Sequence, residues 1–233
     1  MVGYLHRGCA CSTLGYHLPM LQTNLERVAL IAGLACFAGF LVLDRLVARG
    51  DTQTFDQRLI RALRFPFGAP RMGMAWVPVM RGITQLGGPV LRYSIALPAA
   101  LLLYRAGFPK TAIWFVTALG SGWIVDGLLK HLFRRQRPTI VPHLAPAGGP
   151  SFPSGHTLNA ALVYAALAMA WAPILSLAGI GAALTAAVFI SFAVAFSRVW
   201  LGVHWPTDVT AGWLVGTGWW MTAFALGGRM MGN

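Results

Sequence analysis

Residues 148–172, GGPSFPSGHTLNAALVYAALAMAWA, set the architecture of this chain. A loop rich in glycine and proline leads directly into an apolar segment that begins at about Thr157, so the sequence predicts a helix that starts beside the loop. Apolar segments of this kind recur along the chain, and we expect each of them to cross a bilayer. They cover about residues 28–47, 88–106, 108–132, 157–172, 175–197 and 207–227.

Composition favours the same architecture. The chain has 233 residues, of which 57% are hydrophobic and only 10% are charged, and its mean hydropathy is +0.64. A soluble surface needs more charge than this. The sequence therefore predicts an all-α, polytopic membrane protein built as a six-transmembrane-helix bundle. We expect a polar tail over residues 1–27, a retained first helix rather than a signal peptide, and one membrane domain over residues 28–233.

A long segment between the first two spans, residues 50–86, is predicted to contain an interfacial amphipathic helix. Apolar and cationic side chains recur in it at helical spacing: Phe55, Leu59 and Leu63, against Arg58, Arg61 and Arg64. Such a helix lies flat on a membrane or docks on the bundle as a surface helix. The formal charge of +12 is spread over loops beside apolar spans, which favours anionic lipid headgroups as partners over nucleic acid.

The three cysteines form neither a disulfide framework nor a zinc set. Cys9 and Cys11 lie in the predicted tail, and Cys36 lies within the first span, where burial as a small hydrophobic side chain is expected.

The first cluster with chemical meaning lies at the end of the third span. Lys130 and Arg137 are two helical turns apart, so continuation of the helix places them on one face with Arg134 between them. Three cations at a membrane edge favour a bound phosphate, although a basic run alone is also typical of a membrane anchor. Asp126, one turn before Lys130, is expected to pair with a local cation because an unpaired carboxylate is costly there.

The second cluster is the start of the fourth span. Free amides and the positive end of the helix dipole point outward at a helix start, so the amides of Ser154 to His156, with the Ser154 hydroxyl, can hold a phosphate. Gly155 permits close approach of the backbone. A serine in this position also serves as an ordinary helix cap, and His156 beside it favours the catalytic alternative.

The third cluster joins the fifth and sixth spans. Ser197 and Arg198 end the fifth span, and Pro206 favours a helix start just after His204. Asp208 in the first turn can accept the Nδ1 proton of His204 and leave Nε2 free as a nucleophile. The same aspartate also suits a helix N-terminus electrostatically.

Together the clusters predict phosphoryl transfer, in which the protein mainly supplies positioning and charge. His204 attacks phosphorus, Asp208 orients it, and His156 protonates the leaving alkoxide before water hydrolyses the phosphohistidine. The predicted phosphate-binding residues are Lys130, Arg137, Ser154, Gly155 and Arg198. Asp126, Arg134 and Ser197 are expected to support the site from behind. No metal or cofactor is expected, because the cations supply the charge and the sequence offers no carboxylate cluster.

The motifs Lys130-x6-Arg137-Pro138, Pro153-Ser154-Gly155-His156 and Ser197-Arg198-x5-His204-x3-Asp208 resemble the signature of the type 2 phosphatidic acid phosphatase family. The resemblance covers residues 130–208 and implies a metal-independent membrane lipid phosphatase with a phosphohistidine intermediate. Family members act on phosphatidic acid, phosphatidylglycerol phosphate, undecaprenyl diphosphate or lipid A phosphates, and soluble relatives hold vanadate.

Two alternatives stay open. A lipid phosphotransferase uses the same site with a different acceptor, and a lipid-binding or scrambling protein shares the bundle without needing both histidines. Counting basic residues places the site on the cytoplasmic side. The resemblance implies instead a bacterial inner membrane protein whose active site faces the periplasm, and the oligomeric state is not determined by the sequence.

Overall fold

The structure, a computed structural model, describes residues 11–65 and 68–231. In this part of the chain it has eight α-helices, short 3₁₀ turns and an isolated β-bridge between Arg64 and Pro70, without any β-sheet. The predicted all-helical architecture is therefore confirmed. The helices are α1 (Cys11–Arg49), α2 (Gln53–Ala62), α3 (Val77–Gln85), α4 (Pro89–Arg105), α5 (Pro109–Leu132), α6 (Gly155–Ala170), α7 (Leu177–Trp200) and α8 (Pro206–Gly227).

The predicted count of six spans is not confirmed by helix length and hydropathy. Within the described residues, three helices are long and apolar enough to cross a membrane, namely Gln22–Arg49 of α1, α5 and α7. A fourth appears if Met74–Gln85 and α4, which meet at a 40° bend, form one span. Helix α6 has only 16 residues, about 24 Å at 1.5 Å per residue, which is shorter than a typical hydrocarbon core.

Helix α1 starts earlier than the sequence suggested. It begins at Cys11, so residues 11–27 of the predicted tail continue the first helix, while Cys9 lies outside the described residues. Near the start of the apolar part, the buried carboxylate of Glu26 accepts a hydrogen bond from Arg229 Nε at 3.2 Å. This ion pair ties α1 to the end of the chain. Cys36, expected to be buried, is a free cysteine that is only half-buried.

The centre of the bundle is α6, which packs between α7 and α8, while α1 packs mainly on α8. Small residues allow this close packing. A Cβ at Gly212 or Gly216 would overlap the backbone carbonyl of Ser154 or Leu158, respectively. Helices α6 and α8, which carry the second and third sequence clusters, therefore lie in direct backbone contact at the end of the bundle where the clusters lie.

Many large apolar side chains face outward from the long helices. Leu97, Ile124, Leu128, Phe189 and Leu226 are each more than half exposed. A soluble monomer rarely exposes so much apolar surface, which is typical instead of a lipid-facing bundle.

The segment between the first two spans is helical but differs from its predicted pattern. Helix α2 ends at Ala62, before Leu63 and Arg64. Its inward face carries Asp56 and Ile60, both fully buried, whereas Phe55 and Leu59 point outward together with Arg58 and Arg61. Arg64, predicted on the cationic face, is also buried and lies over the Trp200 ring. Helix α2 thus docks on the bundle through a face that contains a carboxylate.

Three aromatic rings connect the site loops to the bundle. Phe40 of α1 contacts Phe133 just after α5 and Phe152 in the loop before α6, with ring centroids 5.8 and 5.7 Å away. Phe133 and Phe152 also meet edge to face at 5.6 Å. Such aromatic clusters contribute specific geometry as well as apolar burial. The two ends of the loop over residues 133–154 are therefore held against α1.

Candidate active site

A cavity of about 210 Å³ lies at the end of the bundle where α5 ends and α6 begins. Residues from all three sequence clusters line it, together with the loop over residues 146–150. The cluster residues in its wall are Lys130, Arg137, Gly155, His156, Arg198 and His204. Residues separated by more than 70 positions in the sequence are thus brought to one chamber whose polar wall is mostly cationic.

His204 lies between a carboxylate and a guanidinium. Its Nδ1 is 3.4 Å from Asp208 Oδ2, and its Nε2 is 3.2 Å from Nη1 of Arg137 at the cavity. Both His204 and Asp208 are almost fully buried, at 2% and 0% exposure. A proton on Nδ1 directed at the carboxylate leaves Nε2 unprotonated, so that it accepts from Arg137 at the cavity wall. An unprotonated nitrogen is what a nucleophile requires.

Asp208 is fixed by more partners than the sequence suggested. Its Oδ2 accepts hydrogen bonds from the backbone N–H of Trp205 at 2.8 Å and from the Ser151 hydroxyl. The Ser151 oxygen also lies 3.4 Å from His204 Nδ1. Ser151 is fully buried and belongs to the glycine- and proline-rich loop before α6, yet no spacing rule singles it out. The carboxylate is therefore held from the loop as well as from its own helix.

Burial lowers the pKa of His204 to about 4, although its contact with Asp208 acts in the opposite direction. The imidazole is therefore neutral at physiological pH. A neutral imidazole is the form that can attack phosphorus.

The shift predicts a pH dependence of stability. The folded-state pKa of about 4 lies below the unfolded value of about 6.5. The unfolded chain therefore binds the extra proton between these pH values, and stability is lost as pH falls from 6.5 toward 4. At pH 5 the expected loss from His204 is about 2 kcal/mol. Thermal unfolding of wild type and His204→Gln in detergent at pH 7.5 and 5.0 measures it, and an equal drop in both proteins would contradict the prediction.

Arg137 connects the third cluster to the glycine-rich loop. Its Nη1 donates to the Val203 carbonyl at 2.7 Å, while Nη2 and Nε donate to the carbonyls of Gly148 at 2.8 Å and Gly149 at 3.1 Å. Burial lowers its pKa from the ordinary arginine value, with Asp208 acting in the opposite direction. Arg137 thus fixes the loop and places positive charge beside His204 Nε2.

The route by which Lys130 and Arg137 meet differs from the prediction. Helix α5 ends at Leu132 and the chain continues in an extended conformation from Phe133, so the two residues do not share a helical face. Arg134 is consequently exposed, outside the catalytic cavity, and lines a neighbouring basic surface depression. Lys130 donates to Asp126 Oδ2 at 3.0 Å, which is the pairing expected for this carboxylate.

The start of α6 contributes Gly155 and His156 to the cavity, but Ser154 is placed differently from the prediction. Ser154 is fully buried, caps no amide with its side chain, and accepts a hydrogen bond from the Thr157 hydroxyl at 3.2 Å. Its own N–H donates to the Asp208 carbonyl at 2.9 Å. The Ser154 amide is therefore used to join α6 to α8, and only the amides after it remain at the cavity.

Gly155 is required for close approach of the first cluster. A Cβ at this position would overlap Lys130 Nζ and lie 2.9 Å from Asp126 Oδ2. Gly155→Ala should displace the ammonium without unfolding the protein, since Nζ is the flexible end of a side chain. We expect kcat/KM to fall by roughly 10- to 100-fold, the value of one charged hydrogen bond.

Gly127→Ala is a matched control for this change. Gly127 adjoins Asp126 on α5, but a Cβ there meets nothing within 4 Å. Steady-state kinetics of the two variants checks the prediction, and equal effects at both glycines would contradict it.

Arg198 projects from the last turn of α7 into the cavity wall. It is 3% exposed, and its Nη1 donates to the Thr84 hydroxyl at 3.1 Å. Among the described residues, no hydrogen-bond partner is found for its Nε. A buried guanidinium with a free N–H is suited to an anion in the cavity. Ser197 instead points into its own helix, where its hydroxyl donates to the Val194 carbonyl at 2.7 Å.

Sequence reasoning did not identify Arg135. This side chain reaches Asp208 Oδ1 through Nη1 at 2.6 Å and Asp56 Oδ2 through Nη2 at 2.7 Å. Asp56, from the buried face of α2, was missed as well. The only feature of the sequence that points to Asp56 is the small number of acidic residues. The whole chain has just six, and an acidic residue that is buried needs a partner.

Known proteins share both the sequence pattern and this architecture. The model of the PAP2 superfamily matches residues 111–230. Phosphatidylglycerophosphatase B of Bacillus subtilis (strain 168) is 32% identical over 186 residues, which cover 77% of this chain and 87% of that protein. Undecaprenyl-diphosphatase of Sulfolobus acidocaldarius is 34% identical over 110 residues, 45% of this chain and 48% of its own length.

Solved structures agree with the sequence matches. The transmembrane PAP2-type phosphatidylglycerolphosphate phosphatase from Bacillus subtilis superposes with a TM-score of 0.74 at 26% identity, over 84% of this chain and 96% of that one. LpxE of Aquifex aeolicus shares the fold, with a TM-score of 0.53 at 24% identity, over 72% of this chain and 91% of its own. Because the family match covers the helices that carry all three clusters, the chain belongs to the PAP2 superfamily and is an integral membrane phosphatase.

Proposed function

We propose that this protein hydrolyses the phosphate monoester or diphosphate of a membrane lipid through a phosphohistidine formed on His204. One observation carries the proposal. His204 presents Nε2 to a cavity walled by Lys130, Arg137 and Arg198, while Asp208 holds the opposite ring nitrogen. A nucleophile, its orienting group and the charges that a phosphate needs are therefore assembled in one chamber.

The first half of the reaction transfers phosphorus to histidine. Nε2 of His204 attacks, the bond from phosphorus to the lipid oxygen breaks, and His156 gives a proton to the leaving oxygen. The Nδ1 proton of His204 stays directed at Asp208, which stabilises the positive charge that develops on the ring. The cations at Lys130, Arg137 and Arg198 face the equatorial oxygens, where they neutralise charge in the transition state.

The second half returns the enzyme to its starting state. His156, now neutral, takes a proton from a water molecule that attacks the phosphohistidine. The bond from Nε2 to phosphorus then breaks, inorganic phosphate leaves, and His156 holds the proton for the next turnover.

The names of the relatives support an order in which to test substrates. The Bacillus subtilis relative, aligned over 77% of this chain, is named for phosphatidylglycerol phosphate, and another relative is named for undecaprenyl diphosphate. Both lipids carry a terminal phosphate on an apolar anchor, which fits a cavity at the end of an apolar bundle. We propose phosphatidylglycerol phosphate as the first candidate, undecaprenyl diphosphate as the second, and phosphatidic acid and lipid A phosphates after them.

The membrane arrangement is part of the proposal. We place α1, α4, α5, α6, α7 and α8 across a bacterial inner membrane, with the catalytic end facing the periplasm. The outward Leu97, Ile124 and Phe189 support lipid contact around the bundle. The exposed Phe55 and Arg58 of α2 suit an interface that offers acyl chains and anionic headgroups.

Phosphate release by the purified protein tests the function. Phosphatidylglycerol phosphate, undecaprenyl diphosphate and phosphatidic acid are supplied in mixed micelles with EDTA, and free phosphate and lipid products are both quantified. Hydrolysis gives one phosphate for each lipid consumed, because water is the acceptor. A phosphorylated second lipid without free phosphate would establish a transferase instead, and no turnover of any lipid would contradict enzymatic activity on this class.

Orientation is tested with single cysteines at opposite ends of the bundle. Arg134→Cys lies at the catalytic end and Ala106→Cys lies in the α4–α5 turn, and both positions are exposed. The background replaces the three natural cysteines. In intact spheroplasts, a membrane-impermeant maleimide should label position 134 and spare position 106, and the opposite pattern would place the site in the cytoplasm.

A further inference from the structure

The catalytic aspartate has a second support, made by residues that the sequence motifs do not fix. Arg135 donates from Nη1 to Asp208 Oδ1 at 2.6 Å and to the Thr207 hydroxyl at 2.7 Å. Its Nη2 donates to Asp56 Oδ2 at 2.7 Å. One guanidinium therefore bridges two carboxylates that are both 0% exposed.

Asp56 is fixed by the start of α8. Its Oδ1 accepts the backbone N–H of Thr207 at 3.0 Å, and its Oδ2 accepts the Thr207 hydroxyl at 2.7 Å. The Thr207 hydroxyl accepts from Arg135 and donates to Asp56, so the three residues close a ring. The carboxylate also satisfies an amide at a helix N-terminus, where negative charge is stabilising.

The two oxygens of Asp208 have separate partners. Oδ1 faces Arg135, whereas Oδ2 faces Ser151, the Trp205 amide and His204. Rotation of the carboxylate would break charge-assisted bonds on both sides. The hydrogen-bonded ring formed by Asp56, Arg135 and Thr207 therefore fixes which oxygen of Asp208 contacts the imidazole of His204. It thereby fixes the direction of Nε2.

The charges behind the histidine also suit phosphotransfer. Asp56, Arg135 and Asp208 together carry a net charge of −1 on the side of His204 away from the cavity. This balance favours the positive charge that the imidazole gains when it bonds to phosphorus. Loss of Arg135 leaves two buried carboxylates without their shared cation, which is costly.

We propose that Asp56 and Arg135 are positioning residues for catalysis, acting through Asp208 on His204, so that α2 is part of the catalytic apparatus. The inference rests on the proposed function. Neither side chain lines the catalytic cavity, so both act on the chemical step and not on substrate binding. The geometry predicts a kcat effect with little change in KM.

The test compares Arg135→Gln, Arg135→Lys and Asp56→Asn with wild type on the best lipid substrate. For Arg135→Gln we expect kcat to fall by about 10²-fold, less than the loss when a triad aspartate is changed, with KM nearly constant. Arg135→Lys should recover part of kcat because it restores the charge. Arg134→Gln is the matched control, since Arg134 is the exposed neighbour, and it should keep wild-type kcat.

The double variant Asp56→Asn with Arg135→Gln separates positioning from folding. It removes both partners of the buried pair, so its thermal midpoint should recover relative to Arg135→Gln, while kcat should stay low. Recovery of kcat together with stability would overturn the inference, as would unchanged kcat in Arg135→Gln. If Arg135→Gln does not fold, Arg135→Lys and the double variant give the same comparison. Inactive wild-type protein would contradict the proposed function and the inference together, whereas active wild type with an indifferent Arg135 contradicts the inference alone.

Discussion

His204→Ala should abolish phosphate release, with kcat reduced by at least about 10⁴-fold, the scale seen when a catalytic nucleophile is removed. The reason is geometric. His204 Nε2 is the ring nitrogen at the cavity, whereas Nδ1 is the one that contacts the carboxylate of Asp208. The residue is almost fully buried between Asp208 and Arg137. Alanine removes the atom that would bond to phosphorus, and among the described residues no other imidazole is paired with a carboxylate. Phosphate release from micellar lipid measures the loss.

His131→Ala is the matched control for this variant. His131 lies one residue after Lys130 at the same end of the bundle, but it is exposed and outside the catalytic cavity. Its substitution should leave kcat/KM within about fivefold of wild type, as expected for an exposed side chain. Activity of His204→Ala above a hundredth of wild type would contradict the assignment of the nucleophile.

Arg198→Ala is expected to have the next largest effect, lowering kcat/KM by roughly 10²- to 10³-fold, the cost of removing one preorganised donor. The guanidinium is 3% exposed, contacts the Thr84 hydroxyl, and has an Nε without a partner in the described chain. Burying such a charge is costly unless an anion completes its bonds. A phosphate in the cavity supplies that anion.

The conservative and control variants make this result specific. Arg198→Lys should recover only part of the loss, because an ammonium cannot make the bidentate contact of a guanidinium. Arg134→Ala removes an exposed arginine at the same end and should change kcat/KM by less than about fivefold. Equal effects for Arg134 and Arg198, measured by steady-state kinetics, would show that bulk positive charge rather than a placed guanidinium matters.

The sequence predicted the helical architecture and the meeting of the three clusters because these depend on local signals. Apolar length predicts helices, and the loop before α6 together with Pro206 predicts where α6 and α8 begin. Alternating helix direction then brings the ends of α5 and α7 together with the starts of α6 and α8. The cavity that joins Lys130, His156 and His204 follows from this connectivity.

The supports of the site were harder to predict because they depend on where a helix stops. The sequence predicted that α5 continues beyond Leu132, which would place Arg134 on the same helix face as Lys130. In the structure the helix stops at Leu132, and the chain that follows turns Arg135 inward and leaves Arg134 exposed. Asp56 lies 152 positions before Asp208, and hydrophobic periodicity assigned α2 to the membrane surface. Its buried face became evident only from the packing of α2 against α8.

Ser154 and Ser197 illustrate a different limit. Both belong to sequence clusters whose other members line the cavity, but each hydroxyl bonds locally, to Thr157 and to the Val194 carbonyl. Hydroxyl direction depends on side-chain rotamers that spacing does not determine. Proximity in the sequence thus predicted their location in the fold but not their contacts.

The most direct test of the account is to trap the phosphoenzyme. Lipid substrate labelled with ³²P in its terminal phosphate is mixed with excess protein and quenched in alkaline denaturant within the first turnover. We predict label on wild-type protein that survives alkali and is lost in acid, as expected of phosphohistidine, and no label on His204→Ala. Turnover without a labelled protein, or a label that persists in His204→Ala, would contradict nucleophilic catalysis by His204.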